Sequence, residues 1–247
     1  MPIKPKNKHI VGIIGGMGPE ATVELQRLIV KYTPAKCDQD HIEVIAHNNP
    51  SIPDRTKSLA EDDGRSYSAA VIASGNTLIK AGATILCMPC ITAHARFEYI
   101  QAALSRKLIN LVDLVAEKIL TDKYKQPVAI LSTEGSKREG VIARSFLKSQ
   151  ITFVLPNDDC QIKVSETIGN IKAGRKGIAE KTLEQIIKDL KQQGIITLLL
   201  GCTELAMLED SLRISQIKVF NPLKILARNV VEQCHSSYMK NQVKFGL

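Results

Sequence analysis

Short apolar runs alternate along the chain with longer amphipathic stretches. In the first half the runs predict strands, and the stretches between them carry apolar residues at helical spacing. The predicted elements of this half are strand 10–14, helix 19–32, strand 42–46, helix 67–81, strand 84–88 and helix 93–104. Strands that alternate with helices in this order are typical of βαβ units and of a mostly parallel sheet.

The second half of the chain repeats this plan. Its predicted elements are strand 127–131, helix 137–148, strand 152–155, helix 160–172, helix 179–193 and strand 195–200. In each half one strand ends in a cysteine closely followed by a threonine, in Cys90-Ile91-Thr92 and in Cys202-Thr203. This correspondence indicates an internal duplication of an α/β unit.

The composition fits a folded chain with an aliphatic core. Of the 247 residues 44% are apolar and 23% charged, while aromatic residues make up only 4% and Trp is absent. These values exclude disorder over most of the chain and suit buried parallel strands between helices. No apolar stretch approaches the ~20 residues of a membrane helix, and the N-terminus does not resemble a signal peptide. We therefore expect a soluble, cytoplasmic protein with reduced cysteines.

The charge balance first suggests a nucleic-acid partner, because the net charge is +8. Part of the excess, however, lies in the leading Lys4, Lys6 and Lys8, and much of the rest is scattered over predicted helix faces. Few aromatic residues are available to stack on bases. We therefore expect no nucleic-acid partner; a basic protein would also attract a small anionic substrate.

Candidate chemistry lies just past the predicted strands, because ligands of parallel sheets bind outside the carboxyl ends of the strands. The residues at these positions are Gly15–Gly18, His47–Asn49, Pro89–Thr92, Ser132-Thr133 and Gly201–Glu204. The set is polar and rich in small residues, it includes two thiols, and it shows no His and carboxylate cluster with metal-ligand spacing.

The two thiols, Cys90 and Cys202, are the most specific feature. A cysteine between a strand and a helix meets the positive end of the helix dipole, which should lower its pKa from about 8.5 toward neutrality. If the two halves face each other, the thiols flank one cleft, where one face of a carbon could lose a proton and the other gain one. The alternative is that both are buried apolar residues, the common state of free cysteine.

Two further motifs carry weaker signals. Cys87 and Cys90 form a C-x-x-C, a possible redox motif, but Cys87 falls inside an apolar strand and is expected to be packed. A Gly-x-Gly-x-x-Ala motif at Gly16–Ala21 loosely matches a dinucleotide fingerprint, yet the second strand ends in His47–Asn49 rather than in an acidic residue. We interpret these glycines as a tight turn that lets a small ligand approach, or as a packing turn.

Three charged or titratable residues complete the candidates. Arg55 lies in a proline-framed loop and could bind a carboxylate bidentately, or pair with Asp54 at the surface. Lys172 ends a predicted helix, where lysine commonly serves as a cap. His94 follows the first thiol by four residues and could be near the cleft or merely packed.

Four segments together resemble the aspartate/glutamate racemase family of pyridoxal-phosphate-independent racemases. These segments are Gly12–Thr22, Asn48–Thr56, Met88–His94 and Leu200–Leu205, in the order of the family. The resemblance implies inversion of an acidic amino acid, aspartate or glutamate, by two-cysteine proton exchange at the α-carbon. It also implies a homodimer and two similar α/β domains around an active-site cleft. The first domain would comprise residues 1–106 and 216–247, so that the last strand and helix return to it, and the second residues 107–215.

The resemblance also assigns the site. It makes Cys90 and Cys202 the catalytic cysteines and implies no metal, pyridoxal phosphate or other cofactor. The implied substrate contacts are Met17, Asn48, Arg55, Thr92, Lys172 and Thr203, with Arg55 facing a substrate carboxylate and Lys172 the side-chain carboxylate. One position departs from the family, because Ile91 stands where the family usually has an asparagine that helps hold the polar head group.

Other activities remain open as alternatives. Related enzymes of the superfamily include hydantoin racemases, maleate isomerases and decarboxylases, although paired cysteines favour racemisation over decarboxylation, which needs one proton donor. A catalytically silent amino-acid-binding protein and a thiol–disulfide oxidoreductase are the alternatives from other classes.

Overall fold

The computed structural model of the protein describes residues 9–123 and 126–244, and the side chains of these residues except those at 213–215 and 235–244. Its strands form two sheets, and neighbouring strands in both sheets pair in parallel. Helices flank both sheets, so the predicted α/β class with two parallel sheets is confirmed.

The first sheet has the strand order β2-β1-β3. Its strands are β1 (Val11–Gly15), β2 (Val44–Asn48) and β3 (Ile85–Cys87). The central strand β1 is buried along its whole length, which explains its unbroken apolar sequence. An isolated parallel bridge between Leu86 and Leu108 continues the pairing beyond β3.

The second sheet has the strand order β5-β4-β6-β7. Its strands are β4 (Val128–Leu131), β5 (Phe153–Val154), β6 (Thr197–Leu200) and β7 (Lys218–Phe220). The last strand, which the resemblance assigned to the first unit, pairs with β6 in the second sheet. The limits of the two domains stay a prediction.

Ten α-helices lie within the described part of the chain. They are α1 (Pro19–Tyr32), α2 (Arg55–Glu61), α3 (Arg65–Lys80), α4 (Phe97–Ala102), α5 (Leu111–Thr121), α6 (Glu134–Arg138), α7 (Val141–Lys148), α8 (Asp158–Lys172), α9 (Lys176–Gln192) and α10 (Pro222–Lys244). The last helix contacts both α1 and α5. None of these helices combines the length and apolarity that crossing a membrane requires.

Two predicted helices are broken in the structure. The stretch predicted as helix 93–104 divides into a 3₁₀ segment, Thr92–Arg96, and α4. The stretch predicted as helix 137–148 is interrupted at Gly140, which has a φ of 60° and separates α6 from α7. Glycine adopts this left-handed conformation without steric cost, so the chain can turn there.

Candidate active site

Both strand-end thiols face one small cavity. Cys90 follows β3 and Cys202 follows β6, and each residue is only 5% exposed. The other residues that line the cavity are Met17, Asp54, Arg55, Thr56, Ile91, Thr92, Thr133, Lys172, Thr203 and Glu204. The parallel topology thus brings together residues from both halves at the carboxyl ends of their strands, as expected for an α/β site.

The cavity is closed by hydrogen bonds between the halves. The hydroxyl oxygens of Thr92 and Thr133 are 2.8 Å apart, and the hydroxyl of Thr203 donates to the carbonyl of Pro89 at 3.1 Å. The enclosed volume is about 20 Å³, which is room for about one water molecule. An amino acid therefore needs more room than this closed arrangement provides.

A wider cavity of about 400 Å³ adjoins the closed one. Asp54, Arg55, Lys172 and Glu204 line both of them. The shared walls place the wider cavity directly beside the one that the thiols line.

The Cys202 thiol donates a hydrogen bond to the carboxylate of Glu204, with 2.9 Å between Sγ and Oε2. Glu204 is itself buried, and its Oε1 has no hydrogen-bond partner among the described residues. Burial raises the pKa of Cys202 well above its ordinary value, and the negative charge of Glu204 raises it further. Cys202 is therefore a protonated thiol in this arrangement.

The pKa of Cys90 is also raised, first of all by burial. The charge of Arg55 is the largest effect in the opposite direction, and the backbone N–H of Ala93 and the charge of Lys172 also lower it. The expected lowering of both thiol pKa values toward neutrality is therefore wrong. Loss of water around the sulfur atoms outweighs the N–H groups that follow each strand.

Arg55 begins α2 and is almost fully buried. Its Nη1 donates to the carbonyl oxygens of Ile52 and Pro53, at 3.3 and 3.0 Å. Asp54 instead caps α2 by accepting the N–H of Lys57. Within the described residues Arg55 forms no ion pair, so a charged guanidinium is left available to an anion in the cavity.

Of the other predicted substrate contacts, four line the cavity and one does not. Met17, Thr92, Lys172 and Thr203 line the cavity. Asn48, at the end of β2, is exposed and lines neither cavity, so its contact with a substrate stays a prediction.

The glycine turn after β1 is required by packing. Gly16 has a φ of +92°, and a Cβ atom there would lie 2.1 Å from the carbonyl oxygen of Asn49. The backbone of the β2 loop therefore packs against Gly16 on the side where a side chain would stand. Gly16 and Gly18 also line the wider cavity, so the approach of a small ligand to this turn stays a prediction.

Sequence context alone does not settle the roles of three further residues. Glu204 belongs to the strand-end set, and its only signal is a carboxylate two residues after a thiol. His94 is packed: its Nδ1–H donates to the carbonyl of Cys90, and its Nε2 accepts the N–H of Leu111. Cys87 is buried as predicted, and burial raises its pKa to about 12.

No group of three or more His, Cys, Asp or Glu side chains suited to a metal ion occurs among the residues with described side chains.

Two parallel sheets with one thiol after a strand of each define an α/β protein with a site between its halves. Residues 14–230 match the Asp/Glu/Hydantoin racemase family, and the chain belongs to that family. The resemblance found in the sequence is thereby confirmed.

Individual relatives agree with this assignment. The broad specificity amino-acid racemase RacX of Bacillus subtilis (strain 168) is 25% identical over 237 residues, which are 94% of this chain and 100% of the relative. The aspartate racemase of Picrophilus torridus is similar in structure, with a TM-score of 0.79, 28% identity and coverage of 94% of this chain and 98% of that one. A glutamate racemase from Francisella tularensis, solved with D-glutamate, shares the fold at 18% identity and a TM-score of 0.67, over 95% of this chain and 82% of that one.

Proposed function

We propose that the protein is a pyridoxal-phosphate-independent racemase that inverts the α-carbon of an acidic amino acid, aspartate or glutamate. Cys90 and Cys202 exchange protons with opposite faces of this carbon. The observation that carries the proposal is that the two thiols share one cavity with the cationic side chains of Arg55 and Lys172. Membership of a racemase family supports the same reaction.

The reaction needs one thiolate and one thiol at the start. The thiolate takes the α-proton from one face, and the opposite thiol gives its proton to the other face. After the transfer the two sulfur atoms have exchanged protonation states, so the same site runs the reverse reaction. The positive charges of Arg55 and Lys172 stabilise the carbanionic intermediate. Buried Arg55 contributes more than exposed Lys172, because charge–charge interactions are strong where water is excluded.

The charges in the cavity support an amino acid with a second carboxylate. Arg55 is assigned to one carboxylate and Lys172 to the side-chain carboxylate. Asp54 lines the same cavity and provides an acceptor for the α-ammonium group. The name of the relative from Picrophilus torridus, aspartate racemase, points to the same substrate class.

A wider substrate range is the second candidate. Ile91 is buried and lines the cavity, and its side chain cannot hydrogen-bond a polar head group. The adjoining cavity of about 400 Å³ offers space for side chains larger than that of aspartate. The relative RacX carries the name of a broad specificity racemase. These observations favour testing neutral amino acids beside the acidic ones.

The deciding experiment follows the α-hydrogen directly. The protein is incubated in heavy water with each enantiomer of aspartate, glutamate, alanine and serine, and NMR and chiral chromatography measure α-deuteration and inversion. We expect deuteration and inversion of an acidic amino acid. A protein that leaves every α-hydrogen in place is a binder, and the proposal fails.

Single substitutions test the roles of the thiols. Cys90→Ala and Cys202→Ala should each abolish inversion, because each variant has a proton site on one face only. Either variant can still exchange the α-proton of one enantiomer. The matched control is Cys37→Ala, which removes an exposed cysteine outside the cavity and should be fully active. Inversion at the wild-type rate by either site variant would contradict the two-thiol assignment.

A homodimer and a cytoplasmic location belong to the same proposal. Light scattering coupled to size-exclusion chromatography tests the first, and cell fractionation tests the second.

A further inference from the structure

We propose that the two thiols are unequal, and that Glu204 is a positioning residue that holds Cys202 as the resting proton donor. Cys90 is then the thiol from which the thiolate base forms. This inference rests on the proposed function, since it assigns the acid and the base within the two-thiol reaction.

The contact between Glu204 and Cys202 is direct and shielded from water. The thiol donates to Oε2 over 2.9 Å, and both residues are 5% exposed. The hydroxyl oxygen of Thr203 lies 3.4 Å from Oε2, but its one proton is shared with the nearer carbonyl of Pro89 at 3.1 Å, so the thiol is the main donor to this carboxylate oxygen. The hydrogen bond from the thiol joins residues only two positions apart after β6, and its shielding from water depends on the surrounding halves.

The second oxygen of Glu204, Oε1, shows why the carboxylate needs the hydrogen bond from the Cys202 thiol. Oε1 has no hydrogen-bond partner among the described residues, and it lies so close to Gly18 that a Cβ atom there would be 2.8 Å away. The carboxylate therefore relies on donors at Oε2. Removing the proton of Cys202 would place a thiolate and a carboxylate side by side in a buried site, which is electrostatically unfavourable.

Cys90 has different neighbours. Within the described residues no carboxylate accepts a hydrogen bond from its thiol, and Arg55 on α2 is the strongest cationic influence on it. Lys172 on α8 acts on both thiols, and Glu204 disfavours the thiolate of Cys90 as well, but without a hydrogen bond to it. The two thiols thus differ in how easily they lose a proton, because Arg55 favours the thiolate of Cys90 and the Glu204 hydrogen bond favours the thiol of Cys202.

The inequality gives the reaction a resting state. In that state Cys90 is the sulfur that becomes the thiolate, and Cys202 holds the proton to be delivered. After one inversion Cys90 carries a proton and Cys202 is the thiolate beside Glu204. The resting state returns when Cys90 releases its proton to water and Cys202 takes one from water, so that protons balance over the cycle.

Thiol alkylation tests the inequality without requiring turnover. The folded wild-type protein is treated with iodoacetamide between pH 6 and 10, and mass spectrometry of the peptides measures the rate at each cysteine. Because the thiolate is the reactive form, we expect Cys90 to react about tenfold faster than Cys202 near pH 8. Exposed Cys37 serves as the reference for the reagent.

The variant Glu204→Gln tests the effect of the carboxylate, because it removes the negative charge at this position. We expect the rate at Cys202 to rise about tenfold and its pH profile to move by about one unit to lower pH. Cys90 should change much less. Glu204→Asp keeps the charge and should restore slow reaction at Cys202, and Glu98→Gln, at an exposed position on α4, should change neither rate.

The outcomes separate this inference from the proposed function. Equal rates at the two thiols in the wild type would overturn it, and this comparison needs no variant. An unchanged ratio in folded Glu204→Gln would overturn it as well. If Cys90 reacts faster than Cys202 but no amino acid is inverted, the proposed function fails. The conclusion that Glu204 keeps Cys202 protonated then still stands.

Discussion

Arg55 and Lys172 bring two positive charges to the thiol cavity, and neither forms an ion pair within the described residues. Arg55 is buried, so its charge is stabilised when an anionic ligand replaces the lost water, whereas Lys172 is exposed. The planar guanidinium of Arg55 matches a carboxylate bidentately, whereas the ammonium of Lys172 acts as a point charge. The two cations should therefore make different contributions to substrate recognition.

Substitution of these cations should reveal the substrate class. Lys172→Met should lower kcat/KM for aspartate and glutamate more than for alanine and serine, because the side-chain carboxylate loses its partner. Arg55→Lys should lose about 2–5 kcal/mol of transition-state binding, since the fork geometry is lost. Initial rates by chiral chromatography measure both effects, with exposed Lys181→Met on α9 as control. Equal losses for acidic and neutral amino acids would contradict an acidic substrate.

His94 links the backbone carbonyl of Cys90 to the start of α5 and should make stability depend on pH. Burial lowers the pKa of His94 to about 4 from an ordinary 6.5. The neutral ring is favoured in the folded protein, so the full stability is present above pH 6.5 and is lost as pH falls toward 4. Over this range the wild type should lose about 3 kcal/mol more unfolding free energy than His94→Phe. Urea unfolding at several pH values measures the difference, and parallel pH dependences would rule out this role of His94.

At the scale of elements, the turn between β1 and α1 packs against the loop after β2 and lines the wider cavity. Gly16 is pressed against the backbone of Asn49 in a left-handed conformation, and Thr22 of α1 accepts the N–H of Gly16. Gly169, inside α8, is different, because a Cβ atom added there would meet nothing within 4 Å. Gly169 therefore serves as the control position when the packing at Gly16 is tested.

Gly16→Ala should be strongly destabilising, by about 2–3 kcal/mol, because both the positive φ and the close backbone contact oppose a side chain. Gly169→Ala should stabilise the protein by about 1 kcal/mol, since alanine favours a helix interior over glycine. Urea denaturation of both variants gives the two values. A tolerated Gly16→Ala would show that the β2 loop does not press on this turn.

At the scale of the whole molecule, the two halves meet tightly over the thiols. Besides the two threonine contacts, Arg96 of the first half forms a 3.0 Å ion pair with Glu139 of the second half. Thr56 also lies against Gly135, where a Cβ atom would be only 2.7 Å from the Thr56 hydroxyl oxygen. With room for about one water in the cavity, the halves must separate before an amino acid or an alkylating reagent can enter.

Weakening the closure should therefore expose both thiols together. Thr92→Val removes the hydrogen bond to Thr133, worth about 1 kcal/mol, so alkylation of Cys90 and Cys202 should speed up about fivefold at each. Peptide mass spectrometry measures the rates, and Thr121→Val, at an exposed position on α5, is the control. This common increase differs from the selective effect expected at Glu204. Acceleration at one thiol alone would argue against joint opening.

Local signals in the sequence determined the order of elements and the position of the two thiols. Helix α1 has the predicted bounds, 19–32, because apolar spacing and a proline in its first turn are encoded within the segment itself. Cys90 and Cys202 were recognisable because strand ends in a parallel sheet share one edge. Arg55 was a candidate because of its proline-framed loop, whereas the substrate roles of Lys172 and the two threonines came from the family resemblance, which no local periodicity supplies.

Only the tertiary structure decided the partner of β7, the closure of the cavity and the protonation of the thiols. These properties arise from residues far apart in the sequence, such as Thr92 with Thr133 and Arg55 with Cys90. Even the neighbouring Glu204 acquires its effect on Cys202 only because both are buried. Sequence spacing can place a thiol at a strand end, but its charge state depends on how much water the assembled halves remove from it.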